Sequence, residues 1–435
     1  MTRKAWPCIL PLFCLLLAAG GCGTNGNDNN NIPPKQETGE SNNPTDTGQQ
    51  QPNPSPPSAE PDPAPGEGIA PDDPVAAMLS EMSVEEKVGQ LVIFGLEGTT
   101  LQDETREMIE RYAVGGFILY KDNVDTLAQT VELGNQLKAA NREHGIPLLL
   151  GIDQEGGRVD RMPGGVSKVP APEKIAAKDD KSYTYASGQA LGLQVRALGL
   201  NLDFAPVLDI DSNPDNPVIG DRAYGHTPQS VIAHGLEAME GLRASRVVPV
   251  VKHFPGHGDT DVDSHLDLPV IHKSRAELED FELKPFAAAI DAETDAVMVA
   301  HLLIPDLDPE YPASLSETII DGLLRQELGF DGVVMTDDLT MQGITKQHTV
   351  GEAAVLSLRA GSDIVLIGHH HGQQAEVMET ILASVREGEL TEEQLDAKVG
   401  RVLRLKQGYQ LTDDPLQAVT EQALNAQIAE LLDTK

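Results

Sequence analysis

Eight short apolar runs separated by amphipathic stretches constrain this chain more than any other feature it carries. They are GQLVIFG at 89–95, GGFILY at 115–120, PLLLGID at 147–153, NLDFAPVLDI at 201–210, VVPVVKHF at 247–254, DAVMVAH at 295–301, DGVVMTD at 331–337 and SDIVLIG at 362–368. Near-continuous apolar runs of this length are the pattern of strands buried on both faces. Between them, TREMIERY, VELGNQLKAANRE, SVIAHGLEAMEGLRA and TIIDGLLRQELGF space apolar residues three and four apart with charge opposite, as helices covering a sheet do. A first helix is marked by SVEE, where Ser83 and Glu86 have capping-box spacing. Strands alternating with helices imply a parallel sheet, and eight repeats close a barrel. The reading is therefore an α/β fold of the (β/α)8 TIM type, with an open doubly wound sheet as the alternative. Against the alternative, GLEGTTLQDE follows the first run where a Gly-rich dinucleotide turn would stand.

The N-terminus is a different material. MTRKAWPCILPLFCLLLAAGGC has a basic start at Arg3 and Lys4, an apolar run and small residues before Cys22, which reads as a secretory leader over 1–22. It is too short for an internal membrane span. Ala19-Gly20-Gly21-Cys22 resembles a lipoprotein processing site that would leave Cys22 as a lipidated first residue, and a plain secretory cut or an uncleaved anchor also fits. All three cysteines, Cys8, Cys14 and Cys22, lie in this leader, so a disulfide framework and a thiolate metal site are both excluded. Residues 23–74 are Asn, Gln, Pro, Ser and Gly with almost nothing apolar, and read as a disordered tether. The expectation is a monomer held outside the cytoplasm, lipid-anchored to the outer face of the cell membrane. A net charge of -36, from 32 basic and 68 acidic residues, argues against a nucleic-acid partner and for solubility. The barrel is assigned to 75–410, followed by a helical tail over 411–435.

Polar residues gather where the runs end: DQEGGRVDR, DIDSNPDNPVIGDR, KHFPGHGDTDVDSH and TDD. In a β/α barrel those ends share one rim, so distant segments converge on one pocket. The loop from Lys252 to His265 is the densest. Asp259, Asp261 and Asp263 have the spacing of a calcium loop, but Ser264 and Val270 stand where glycine and a bidentate glutamate are required. His253 and His257 are four apart across Pro255 and Gly256, so they do not form the one-face helical pair of a zinc hydrolase, with or without His265. The triplet His369-His370-His371 reads as a polar loop. No metal and no cofactor are expected. Lys252 and His253 end an apolar strand, where a lysine without a partner is costly to bury and is kept to bind polar or anionic groups. Asp263 and His265, two apart in an extended stretch, point the same way and form a proton-transfer dyad. Such general acid/base work is worth roughly 10²- to 10⁴-fold in rate. Gly256 and Gly258 give the loop hinge freedom, and closure is expected to bring the dyad to its bond. Of Asp337 and Asp338 only one can face the mouth, the other serving as a helix N-cap, and periodicity alone leaves the choice open. An isolated carboxylate, an acid/base group and cations able to grip hydroxyls are the parts of retaining glycoside hydrolysis.

Four of these segments, DQEGGRVDR at 153–161, GDRAYG at 220–225, KHFPGHGDTDVDSH at 252–265 and VVMTDDLTM at 333–341, occur in the order found in family 3 glycoside hydrolases. From about residue 74 to 410 the chain resembles the β-N-acetylglucosaminidase branch of that family. The resemblance implies that Asp337 is the nucleophile and His265 the general acid/base, assisted by Asp263. It implies that Asp153, Arg161, Arg222, Lys252 and His253 hold the sugar, a terminal β-linked GlcNAc of peptidoglycan fragments. Because imidazole, unlike a glutamate, would not repel an anionic acceptor, phosphorolysis is an alternative second step. A catalytically silent sugar-binding lipoprotein is the other alternative, against which stand Asp337, Asp263 and His265 together.

Overall fold

The computed structural model describes residues 73–260, 267–369 and 371–433. The leader with Cys22, the segment assigned as tether up to residue 72, and the Asp263–His265 dyad lie outside the described residues. Eight strands, β1 Val92–Gly95, β2 Gly116–Leu119, β3 Leu149–Ile152, β4 Leu202–Asp203, β5 Val248–Phe254, β6 Ala296–Val299, β7 Val333–Asp338 and β8 Ile364–Ile367, form a closed barrel in sequence order. All pairings are parallel, and β8 closes on β1 with Val92 opposite Val365. The open doubly wound sheet is thereby excluded.

Seven of the strands fall inside the apolar runs and β7 overruns its own by one residue, Asp338, but β4 is only two residues long within a run of ten. Pro206 accounts for this, since it has no N–H to give to a ladder. The chain still follows β5 beyond that point, as Ala205 and Pro206 carbonyls accept from Val250 and Lys252 at 3.0 and 3.2 Å.

Alternation sorts each strand into an inner and an outer set. Ile93, Leu149, Leu202, Val248, Val333 and Ile364 fill the barrel interior together with Phe204, Val250, Met298, Met335 and Leu366. Their outward neighbours, Val92, Leu150, Val251, Val334 and Val365 among them, pack under the helices. The interior is solid side chain, as in other barrels of this kind, so polar groups are driven to the strand ends. Val248 and Val250 put Lys252 in inward register, and Val333 and Met335 do the same for Asp337. Ser83 caps the helix Val84–Gln90 as its spacing requires, its hydroxyl accepting from Glu86 N–H at 3.2 Å while Glu86 returns a carboxylate to Ser83 N–H at 2.8 Å. The chain continues after the helix Glu392–Gly408 to a final helix, Glu421–Leu432, which packs against Lys181–Ala197 with Leu424 and Ile428 buried.

Candidate active site

A cavity of about 420 Å³ opens at the C-terminal ends of the strands, within the size range of small-molecule sites. Asp153, Arg161, Arg222, Lys252, His253 and Asp337 all line it, joined by Tyr120, Glu155, His257 and His369. Thus all the site residues named from sequence that fall among the described residues meet in one place. A larger cavity, about 580 Å³, lies at the other end of the barrel around the starts of β6 and β7. Three of its four arginines are already matched by acids, Arg243 by Asp295, Arg401 by Asp331 and Asp363, and Arg404 by Asp73. In this architecture that end serves stability rather than chemistry.

The electrostatic centre of the active-site cavity is a buried cluster around Lys252. Its Nζ lies 2.6 Å from Asp153 Oδ1 and 2.7 Å from Glu155 Oε1, and the Lys252 and Glu155 side chains are each only 2% exposed. Arg222 closes the cluster with a two-pronged contact to Glu155, Nε and Nη2 each at 2.7 Å. Burial opposes the charges on Glu155, Arg222 and Lys252, yet Arg222 and Lys252 hold the Glu155 carboxyl far below its ordinary range, and Asp153 and Glu155 hold Lys252 above its own. Behind them Asp203 has the opposite fate. Burial dominates and pushes its carboxyl well above the usual range, against the pull of the Gln154 N–H and of Lys252.

A second carboxylate, Asp209, fixes the start of the long loop. It accepts His253 Nδ1 at 2.5 Å and the His257 backbone N–H at 2.6 Å. Simple alternation would turn His253 away from Lys252's side, but a pairing irregularity between Val251 and Phe254 lets both line the cavity. The loop glycines are close-packing positions here. A side chain at Gly258 would overlap the Ile210 carbonyl, and one at Gly256 would meet Glu282 at 2.8 Å. Hinge freedom at these two residues is therefore not what the packing displays, since the chain is buried from Lys252 to Gly258. Asp259, read from sequence against calcium, pairs with Lys273 at 2.7 Å.

At the end of β7 the two aspartates separate by their bonds. Asp338 accepts from Thr340 N–H and Oγ1 and from Gly368 N–H at 2.9, 2.7 and 2.9 Å, tying the turn after β7 to the end of β8. Asp337, half-buried in the cavity wall, takes the Asp338 N–H at 2.8 Å. Tyr120 stands beside them, kept protonated first by burial and then by Asp338, Asp153 and Asp337.

His257 supplies a pH-dependent signature. Burial first, and then the nearby His253, push its pKa down to about 4, against the pull of Asp209 and Asp337. The unfolded chain takes up this proton below about pH 6.5 and the folded chain only near pH 4, so stability is lost as pH falls across that window, by up to roughly 3 kcal/mol. His257→Gln should flatten the decline of unfolding free energy between those limits in urea titrations. An unchanged slope would mean that His257 does not carry it.

Glycosyl hydrolase family 3, through the model of its N-terminal domain, matches residues 83–405, nearly the whole barrel. The chain belongs to glycosyl hydrolase family 3. Among curated relatives of this family 3 hydrolase, a β-hexosaminidase A from Pseudoalteromonas piscicida is 36% identical over 332 residues, covering 71% of the chain and 56% of that protein. A β-hexosaminidase from Idiomarina loihiensis is 34% identical over 320 residues, 73% of this chain and 93% of the relative. Among solved structures, a family 3 β-N-acetylglucosaminidase from Paenibacillus sp. FPU-7 is 41% identical with a TM-score of 0.76, covering 80% of this chain and 68% of that one.

Sequence reasoning missed Glu155, Tyr120 and His369 in the cavity wall and Asp209 buried behind it. Glu155 stands inside DQEGGRVDR, yet only its burial between two cations reveals its place. Asp209 and Tyr120 gave no local signal. His369, read as part of a polar loop, lies on the Tyr120 ring, with ring centres 4.6 Å apart and planes 21° from parallel.

Proposed function

We propose that this glycoside hydrolase is a retaining exo-β-N-acetylglucosaminidase that removes terminal β-linked GlcNAc through a covalent glycosyl-Asp337 intermediate. The observation that carries this reading is the convergence of Asp337 with Asp153, Arg161, Arg222, Lys252 and His253 on one cavity. Asp337 attacks the anomeric carbon, and His265, assisted by Asp263, protonates the departing oxygen and then activates water. Asp153, Arg161, Arg222, Lys252 and His253 hold the sugar's hydroxyls and N-acetyl group. The hexosaminidase relatives support the GlcNAc assignment. Muropeptides fit as natural substrates for a chain carried by Cys22 on the outer face of a membrane.

Incubation with a GlcNAc-MurNAc fragment, with and without inorganic phosphate, followed by mass spectrometry of the products, tests the reaction. Free GlcNAc in both arms supports hydrolysis, and GlcNAc 1-phosphate in the second supports phosphorolysis. An intact fragment in both would refute both and leave a binding protein.

The acid role of His265 has its own measurement. His265→Ala should cost roughly 10²- to 10⁴-fold in kcat/KM on a substrate with a sugar leaving group, and far less on a nitrophenyl glycoside that departs with little help. Equal losses on both would assign His265 a structural role.

A further inference from the structure

We propose that the C-terminal helix Glu421–Leu432 sets the position of Arg161 through a relay of side-chain amides, with Asn425 and Gln154 as positioning residues for substrate binding. The inference rests on the reading that Arg161 grips the sugar. Arg161 lines the cavity, and its Nε is buried with no hydrogen-bond partner among the described residues. A buried donor left without a partner costs about 1–3 kcal/mol, so the arginine is held in place against its own preference. Among the described residues its guanidinium forms no ion pair, and what fixes it must act through the backbone.

The backbone is gripped from both sides. Arg161 N–H donates to Gln154 Oε1 at 2.8 Å, and its carbonyl accepts from Lys121 Nζ at 3.1 Å. Gln154 follows Asp153 on β3's path, and alternation turns it outward, away from the cavity that Asp153 and Glu155 line. There it is completely buried and fully engaged: its N–H donates to Asp203 Oδ1 at 2.9 Å, and its Nε2 to Asp160 Oδ1 and Gln194 Oε1 at 3.0 and 2.8 Å. Gln194, on the helix Lys181–Ala197, donates in turn to the Ser167 carbonyl at 2.7 Å. Ser167 N–H donates to Asn425 Oδ1, and Asn425 Nδ2 to the Gly165 carbonyl, both at 2.7 Å.

The loop from Glu155 to Ser167 is therefore pinned at its near end by Gln154 and at its far end by Asn425, with Gln194 bridging the two. An amide side chain is suited to each place, because each must donate and accept at once. The tail that delivers Asn425 is itself anchored on the way, Asp413 accepting the Leu148 N–H at 3.2 Å just before β3. It runs outside the barrel from the start of β3 to the loop beyond its end.

The test is a set of variants assayed on an aryl β-N-acetylglucosaminide. Asn425→Ala should raise KM about 3- to 10-fold with kcat within about 2-fold, because it loosens a binding group and leaves the chemistry alone. Asn425→Asp, which keeps the acceptor for Ser167 N–H and loses the donor, should fall between. In an Arg161→Ala background, Asn425→Ala should add no further rise in KM. The same rise in both backgrounds would overturn the relay. Hydrogen exchange decides independently of turnover: amides of residues 155–167 should exchange faster in Asn425→Ala, and unchanged exchange would refute the clamp even if the parent proves to have no glycosidase activity.

Discussion

Asp337→Ala should lower kcat by roughly 10⁴-fold or more, the scale expected for loss of a nucleophile, with the circular dichroism spectrum and Tm close to those of the parent. The contrast with its neighbour makes this result diagnostic. Asp338 gives its carboxylate to Thr340 and Gly368 and so joins the ends of β7 and β8. No side chain fits at Gly368, where a Cβ would collide with the Tyr120 hydroxyl and approach Asp338 Oδ2 to 2.6 Å. Asp338→Ala should therefore lose Tm and activity together, whereas Asp337→Ala loses activity alone. The measurements are single-turnover release of nitrophenol and thermal unfolding of both variants side by side. Full turnover in Asp337→Ala would remove it from the chemistry.

The barrel was legible because burial on both faces writes a strand as an uninterrupted apolar run, and eight such runs leave few other folds. The exception, β4, follows from one residue: Pro206 lies inside an apolar run that looked like the rest. For the site, strand ends were a reliable guide to place and a poor one to partnership. Lys252 was recognised as a lysine that needed an anion, but its partners Asp153 and Glu155 stand nearly a hundred residues earlier. Nothing in the local spacing distinguishes Glu155, which is buried, from Arg158, which is exposed. The choice between Asp337 and Asp338 was open to periodicity for the same reason, since it depends on Thr340 and on Gly368 at the end of the neighbouring strand β8. Glycines misled in the other direction: Gly256 and Gly258 suggested freedom, and the fold uses them for close approach to Glu282 and Ile210.

Glu155→Ala should be the most destabilising single change in the cavity, costing roughly 3–5 kcal/mol and a drop in Tm on the order of 10 °C. It removes the one carboxylate shared by Lys252 and Arg222, leaving Lys252 paired with Asp153 and Arg222 in contact with the Val218 carbonyl but, among the described residues, with no carboxylate. The pH dependence has a definite sign. The folded-state pKa of Glu155 is held far below its unfolded value, because Arg222 and Lys252 outweigh burial, so its contribution is present above the ordinary glutamate range and is lost as pH falls through and below it. Parent and variant should thus converge in stability under acid, and a constant difference at all pH values would point to lost packing instead. A buried ion cluster is weak evidence for stability as such, since well-packed apolar replacements of whole clusters are often neutral or better. Replacing Glu155, Lys252 and Arg222 together by Leu, Met and Met should therefore recover Tm relative to Glu155→Ala while abolishing sugar binding. If the triple variant were less stable than the single one, the cluster would be holding the barrel mouth together. If it is more stable, these charges are kept at the barrel's expense for what they hold in the cavity.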